Sequence, residues 1–134
     1  MATPTKNSAD IQYQPLPDDE VYREVYANNV YFEQSAWDLK LIFGQLDQRE
    51  GKITVRQHTA VTLPWTQIKL FSYWLKGQIE AHEMINGKVR VPTSVIPNEL
   101  PPPTAEQKKA DPNMEKIYDL FNKLRNEFLE DQKT

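Results

Sequence analysis

The sequence predicts an α+β protein: a small antiparallel β-meander packed on one long helix, plus a C-terminal amphipathic helix on a Pro-rich connector. Three observations carry that prediction. Runs alternating apolar and polar residues occupy most of 28–61, the period-2 signature of half-buried strands. Apolar residues then recur at helical spacing from 64 to 86, and again from 112 to 131. Between those two helical runs lies a stretch dominated by proline, which fixes its own φ and restricts the residue before it.

Taken in order, residues 1–25 form an arm of polar and acidic composition with little apolar surface to offset the entropy of ordering, and are expected to be disordered or weakly ordered. Within it, Asp18-Asp19-Glu20 followed by 21–26 suits either a short helical turn or an extra edge strand. The core is assigned to 26–91. In 28–34, Val30 and Phe32 alternate with Tyr31 and Glu33, a short edge strand. Ser35 and Ala36 interrupt the run, after which Trp37, Leu39, Leu41 and Phe43 alternate with Asp38, Lys40 and Ile42. The polar residues 47–52 read as a reversal in which Gly51 takes a positive φ. The third strand, 53–61, is expected to place Ile53, Val55, Gln57, Thr59 and Val61 on one side.

Leu63-Pro64 closes the meander, and a helix is expected to start at Pro64, because proline lacks the donor a ladder needs yet suits the first helical position. Ile68, Phe71, Leu75, Ile79 and His82 make one stripe on it, and Leu70, Trp74, Gly77, Ala81 and Met84 an adjacent one. Asn86-Gly87 provides the stop. Residues 88–91 suit one further short strand. The linker, 92–111, is read as stiff and extended, with Val95, Ile96 and Leu100 available to pin it. Asp111-Pro112 then starts the last helix, 112–131, whose docking face is Met114, Ile117, Phe121, Leu124 and Phe128. Docking is favoured over a coiled coil, since two heptads fall short of the usual three or four.

Tyr26-Ala27-Asn28, Trp37-Asp38 leading to Phe43-Gly44, a loop, a β-run and a Leu63-Pro64 helix start followed by a long apolar helix resemble a family of small prokaryotic proteins catalogued as a domain of unknown function. The resemblance covers about residues 25–85. Where the family commonly has Thr-Pro at the helix start this chain has Leu63-Pro64, so the usual hydroxyl cap is either missing or supplied by Thr62. The connector and last helix look like additions to the family pattern. The resemblance supports the order of elements and implies no activity.

Composition bounds the function. The 134 residues are 39% hydrophobic and 26% charged, with a net charge of −3 and no cysteine. No run approaches the roughly 20 apolar residues that cross a bilayer, so no membrane role is expected, and with no signal-peptide pattern the expected location is cytoplasmic. No Gly-x-Ser-x-Gly turn and no glycine-rich phosphate loop are present, so no catalytic residues and no cofactor are assigned and the chain reads as a non-enzyme. Asp38 and Glu33 define no carboxylate pair in a cleft. His58 and His82 are the two imidazoles; a zinc site built from them with Glu80 or Glu83 competes with two ordinary hydrogen-bonded histidines, and no metal is assigned.

A sheet with one helix, about 60 residues, is marginal as a single core without disulfides or metal. The helix stripe is also wider than a small sheet covers. A homodimer is therefore expected, with Phe71, Trp74, Leu75 and Gln78 as its self-association interface. The leading function is a non-catalytic oligomeric assembly or adaptor module for protein–protein interaction, with an unidentified protein partner taken through the C-terminal arm. The alternative is a nucleic-acid-associated or regulatory protein using a sheet face with Tyr31, Lys40, Arg56 and His58, which the acidic net charge disfavours.

Overall fold

A computed structural model describes residues 11–17 and 22–133 of the chain. Strands β1 (Asn29–Gln34), β2 (Asp38–Arg49) and β3 (Lys52–Pro64) are followed by helix α1 (Trp65–Asn86), a 3-10 turn (Thr93–Val95) and helices α2 (Ala105–Ala110) and α3 (Met114–Lys133). The strands form one antiparallel sheet in the order β1-β2-β3, the meander read from the sequence. The chain divides into the units Met1–Tyr73 and Trp74–Thr134, with the boundary inside α1. Most of the predicted arm, 1–10 and 18–21, lies outside the described residues, and the described positions 11–17 and 22–27 form neither helix nor strand.

In the first unit, the break at Ser35 is a side-chain-built turn. The Ser35 Oγ accepts the N–H groups of Trp37 and Asp38, each at 3.1 Å, and donates to the Asp38 carboxylate at 2.9 Å. Asp38 is thus committed to holding a turn. The reversal at the far end of β2 is tighter than the polar loop expected over 47–52: β2 continues to Arg49, β3 resumes at Lys52, and Glu50 and Gly51 alone make the turn. Both carry positive φ, 52° and 75°, the two-residue geometry that matches strand twist. Gly51 is therefore needed for its backbone freedom. A Gly51→Ala variant is expected to lose about 1 kcal/mol, measured by urea unfolding at fixed protein concentration.

The main correction to the strand pattern is a bulge. Phe43 pairs with Thr59 while Gly44 pairs with Gln57, so His58 is the extra residue on β3 and the alternation flips there. The register puts Val61 and Leu63 on the face of Leu39, Leu41, Phe43, Val30 and Phe32. Ile53 and Val55 fall on the opposite face, with Tyr31, Ile42 and Leu46. A single apolar side over 53–61, as alternation alone implies, does not form. Both faces of the sheet carry apolar side chains as a result, and among the described residues Leu41, at 5% exposure, is the one buried hydrophobic side chain.

The β3 strand keeps Pro64 as its last residue and α1 begins at Trp65, one residue later than the sequence suggests. The Trp65 indole Nε1 donates to the Ser35 carbonyl at 3.0 Å, tying the helix start to the β1–β2 turn. Leu70, Phe71 and Tyr73 on these first turns are exposed.

In the second unit, α1 stops where Asn86-Gly87 predicts: Gly87 has φ 88° and its N–H returns to the Glu83 carbonyl at 2.9 Å. Residues 88–91 add no strand. Their donors are taken by side chains instead, Val89 N–H by a Glu83 carboxylate oxygen at 2.9 Å and Val91 N–H by the Gln132 Oε1 at 3.0 Å. The connector holds a helix that its proline content conceals. Thr104 and Gln107 form a reciprocal capping box, with the Thr104 hydroxyl on the Gln107 N–H and the Gln107 Oε1 on the Thr104 N–H, and start α2. A Thr104→Ala variant is expected to cost about 1 kcal/mol locally, read as faster amide exchange across 105–110 with α3 unchanged. The last helix begins at Met114, two residues after the expected start, because Asp111 first caps a turn by accepting the Asn113 N–H at 2.9 Å.

Candidate interaction surface

Tyr26, Asn28 and Gly44, three of the residues that carry the family resemblance, converge on the β3 bulge. Gly44 is buried, and a Cβ on it would stand 2.7 Å from the Arg56 carbonyl oxygen and 2.8 Å from a Val55 methyl, so only glycine lets β3 approach. On the other side of β2, Asn28 extends the pairing of β1. Its N–H donates to the Gly44 carbonyl at 3.1 Å and its Oδ1 accepts from Leu46 N–H at 2.6 Å. His58, the bulged residue, reaches the Tyr26 carbonyl with Nε2 at 3.0 Å while Nδ1 meets the Thr59 hydroxyl at 2.7 Å. A carbonyl only accepts, so Nε2 carries the proton in this contact. Tyr26, Asn28, Gly44 and His58 are one structural device.

That arrangement decides where the candidate nucleic-acid residues fall. Tyr31 and Lys40 share a face by register, and Lys40 is paired with Glu33 at 3.6 Å. Arg56 pairs with Gln45 below the bulge and lies on the opposite face. Among the described residues no three metal-ligating side chains gather. No described helix is long and apolar enough to cross a membrane.

The candidate self-association residues Phe71, Trp74, Leu75 and Gln78 follow at 3-1-3 spacing, which places them on one face of α1, and all four are exposed. No charged side chain interrupts the row. In the second unit, α3 is held along a different face from the one read as its docking face. Tyr118, Asn122, Arg125, Leu129 and Gln132 are half-buried at 4-3-4-3 spacing, and Arg125 Nε donates to the Pro97 carbonyl at 3.0 Å. Near the C-terminus, Arg90 Nη1 donates to the Gln132 carbonyl at 2.8 Å, and Lys88 donates to the Asp131 carbonyl and pairs with its carboxylate at 3.3 Å. Ile117, Phe121, Leu124 and Phe128 remain exposed, with Met114 half-buried at the head of the row. Hydropathy ranks the faces of α3 by that apolar row, whereas the polar contacts fall on the neighbouring one. Lys88 and Arg90 lie opposite the Asp131 and Gln132 carbonyls at the end of α3, and Arg125 opposite the Pro97 carbonyl in the connector.

No curated protein and no solved structure matches the chain. A family model described as a protein of unknown function (DUF3467) matches residues 1–91, ending one residue before Pro92 and leaving the connector and α3 outside the match. The chain therefore belongs to the DUF3467 family of proteins of unknown function.

Proposed function

We propose that the chain is a non-catalytic assembly or adaptor module that self-associates through α1 and offers the exposed row of α3 to a protein partner. The observation that carries this reading is the mismatch between apolar content and burial. Leu41 alone among the described hydrophobic residues is buried, while Phe71, Trp74 and Leu75 on α1 and Phe121 and Leu124 on α3 are each more than two-fifths exposed. Exposed apolar surface on that scale marks interfaces, and a self-complementary pairing of two copies is the commonest way to cover it.

Sedimentation equilibrium across a dilution series tests self-association: a mass twice that of the 15.7 kDa chain is expected, and a single-chain mass throughout overturns it. The adaptor part is tested separately. Phe121→Asp with Leu124→Asp is expected to abolish capture of a partner protein by the full-length chain while leaving the sedimentation mass unchanged. Undiminished capture by that variant removes α3 from the reading.

A further inference from the structure

We propose that the sheet face bearing Val30, Phe32, Leu41 and Phe43 is the seat for α1 of a second copy, each copy laying its helix on the other's sheet about a two-fold axis. This deepens the self-association reading and rests on it.

Four observations fit that occupant. First, the two surfaces match in chemistry. The sheet face carries no charged residue from Leu39 to Phe43 or across its partners Val30, Phe32, Val61 and Leu63, and the α1 row from Leu70 to Leu75 presents only Leu70, Phe71, Trp74 and Leu75 toward an apolar cover. Second, the row fits the length of the face. Leu39 to Phe43 runs roughly 13 Å at strand rise, and Leu70 to Leu75 roughly 8 Å at helix rise, so the row is seated within it.

Third, the connection argues for another copy. β3 ends at Pro64 and α1 begins at Trp65, with no residue between. A helix returning over the strand it follows has to reverse the chain, which takes roughly 2–6 connecting residues. The first turns of α1 therefore leave the end of β3, held there by the Trp65 indole on Ser35. Fourth, the area suffices. Val30, Phe32 and Val61 are 42%, 53% and 43% exposed, and Leu70, Phe71, Trp74 and Leu75 are 47%, 41%, 55% and 47% exposed. With the half-buried neighbours on the sheet this is roughly 700–800 Å² of side-chain surface per chain, close to the roughly 800 Å² per partner of a stable pairing. Reciprocity doubles every contact, because a two-fold pairing uses each surface twice.

The absence of cysteine makes the seat directly mappable. Full-length Phe32→Cys and Leu75→Cys variants, carrying tags of different size, are co-expressed and treated with a short bismaleimide at a concentration where the untagged chain sediments as a dimer. The mixed Phe32–Leu75 product is expected in at least tenfold excess over the Leu75–Leu75 product. Preferential Leu75–Leu75 linkage, or a dimer that yields no mixed product, overturns the seat and leaves self-association standing. A single-chain mass for the untagged protein overturns both. Val30→Cys replaces Phe32→Cys should the latter fail to fold, and is read by the same criterion.

Discussion

A Gly44→Val variant is expected to unfold at a urea concentration so much lower than the parent that at least about 3 kcal/mol is lost, the largest single-site effect in the first unit. The reason is local and steric. The first carbon of any side chain at this position would sit 2.7 Å from the Arg56 carbonyl oxygen, which is backbone and cannot rotate aside, and 2.8 Å from a Val55 methyl. Relief requires β3 to move away from β2, and the bulge that seats His58 against the Tyr26 carbonyl moves with it. Gly44→Ala meets the same two atoms and is expected to fall between the parent and valine. Both variants are compared with the parent at one protein concentration, because association adds to apparent stability. Unfolding curves that coincide with the parent's would show that the strands accommodate a Cβ here.

The second large effect concerns association. Phe71→Glu is expected to raise the dissociation constant of the pair by at least a hundredfold, about 2.7 kcal/mol, as measured by sedimentation at graded dilution. Phe71 is 41% exposed on a row that lacks charge, so a carboxylate there is tolerated in a separate chain and must be stripped of water when the row is covered. The helical content of the separate chain should stay that of the parent. Gln78→Ala, at the end of the same row, is expected to change the constant less than threefold, which distinguishes a central apolar anchor from rim. Equal affinities for Phe71→Glu and the parent would place the contact elsewhere.

Much of the fold was legible because the relevant forces act within a few residues. Alternation at Leu39, Leu41 and Phe43, the proline at 64 and the glycine at 87 each fix an element by local sterics or periodicity, and the structure places the start of β2 and both ends of α1 within one residue, while β2 and β3 run on to Arg49 and Pro64. The bulge was not legible. Ile53 through Val61 keeps β-branched residues at alternate positions apart from Gln57, and the partner strand reveals that Gly44 leaves room for an additional residue. The α2 helix was hidden for a different reason: three consecutive prolines at 101–103 dominate the composition, whereas the start is set by the Thr104 and Gln107 pair. The exposed row Phe71, Trp74, Leu75 and Gln78 was readable on α1 from helical spacing. The apolar sheet face proposed as its seat depends on pairing register, which no single segment encodes.

The fastening of α3 has a consequence for how this protein can diverge. Arg125, Arg90 and Lys88 each donate to a main-chain carbonyl, those of Pro97, Gln132 and Asp131. Every amino acid brings the same carbonyl, so mutation of the accepting residue leaves the acceptor in place. The connector is therefore at liberty to drift in spelling at Pro97 while its length is held, whereas Asp131 and Gln132 also use their side chains, on the Lys88 ammonium and the Val91 N–H. Lineages should keep positive charge at 88, 90 and 125 and vary most freely at 97.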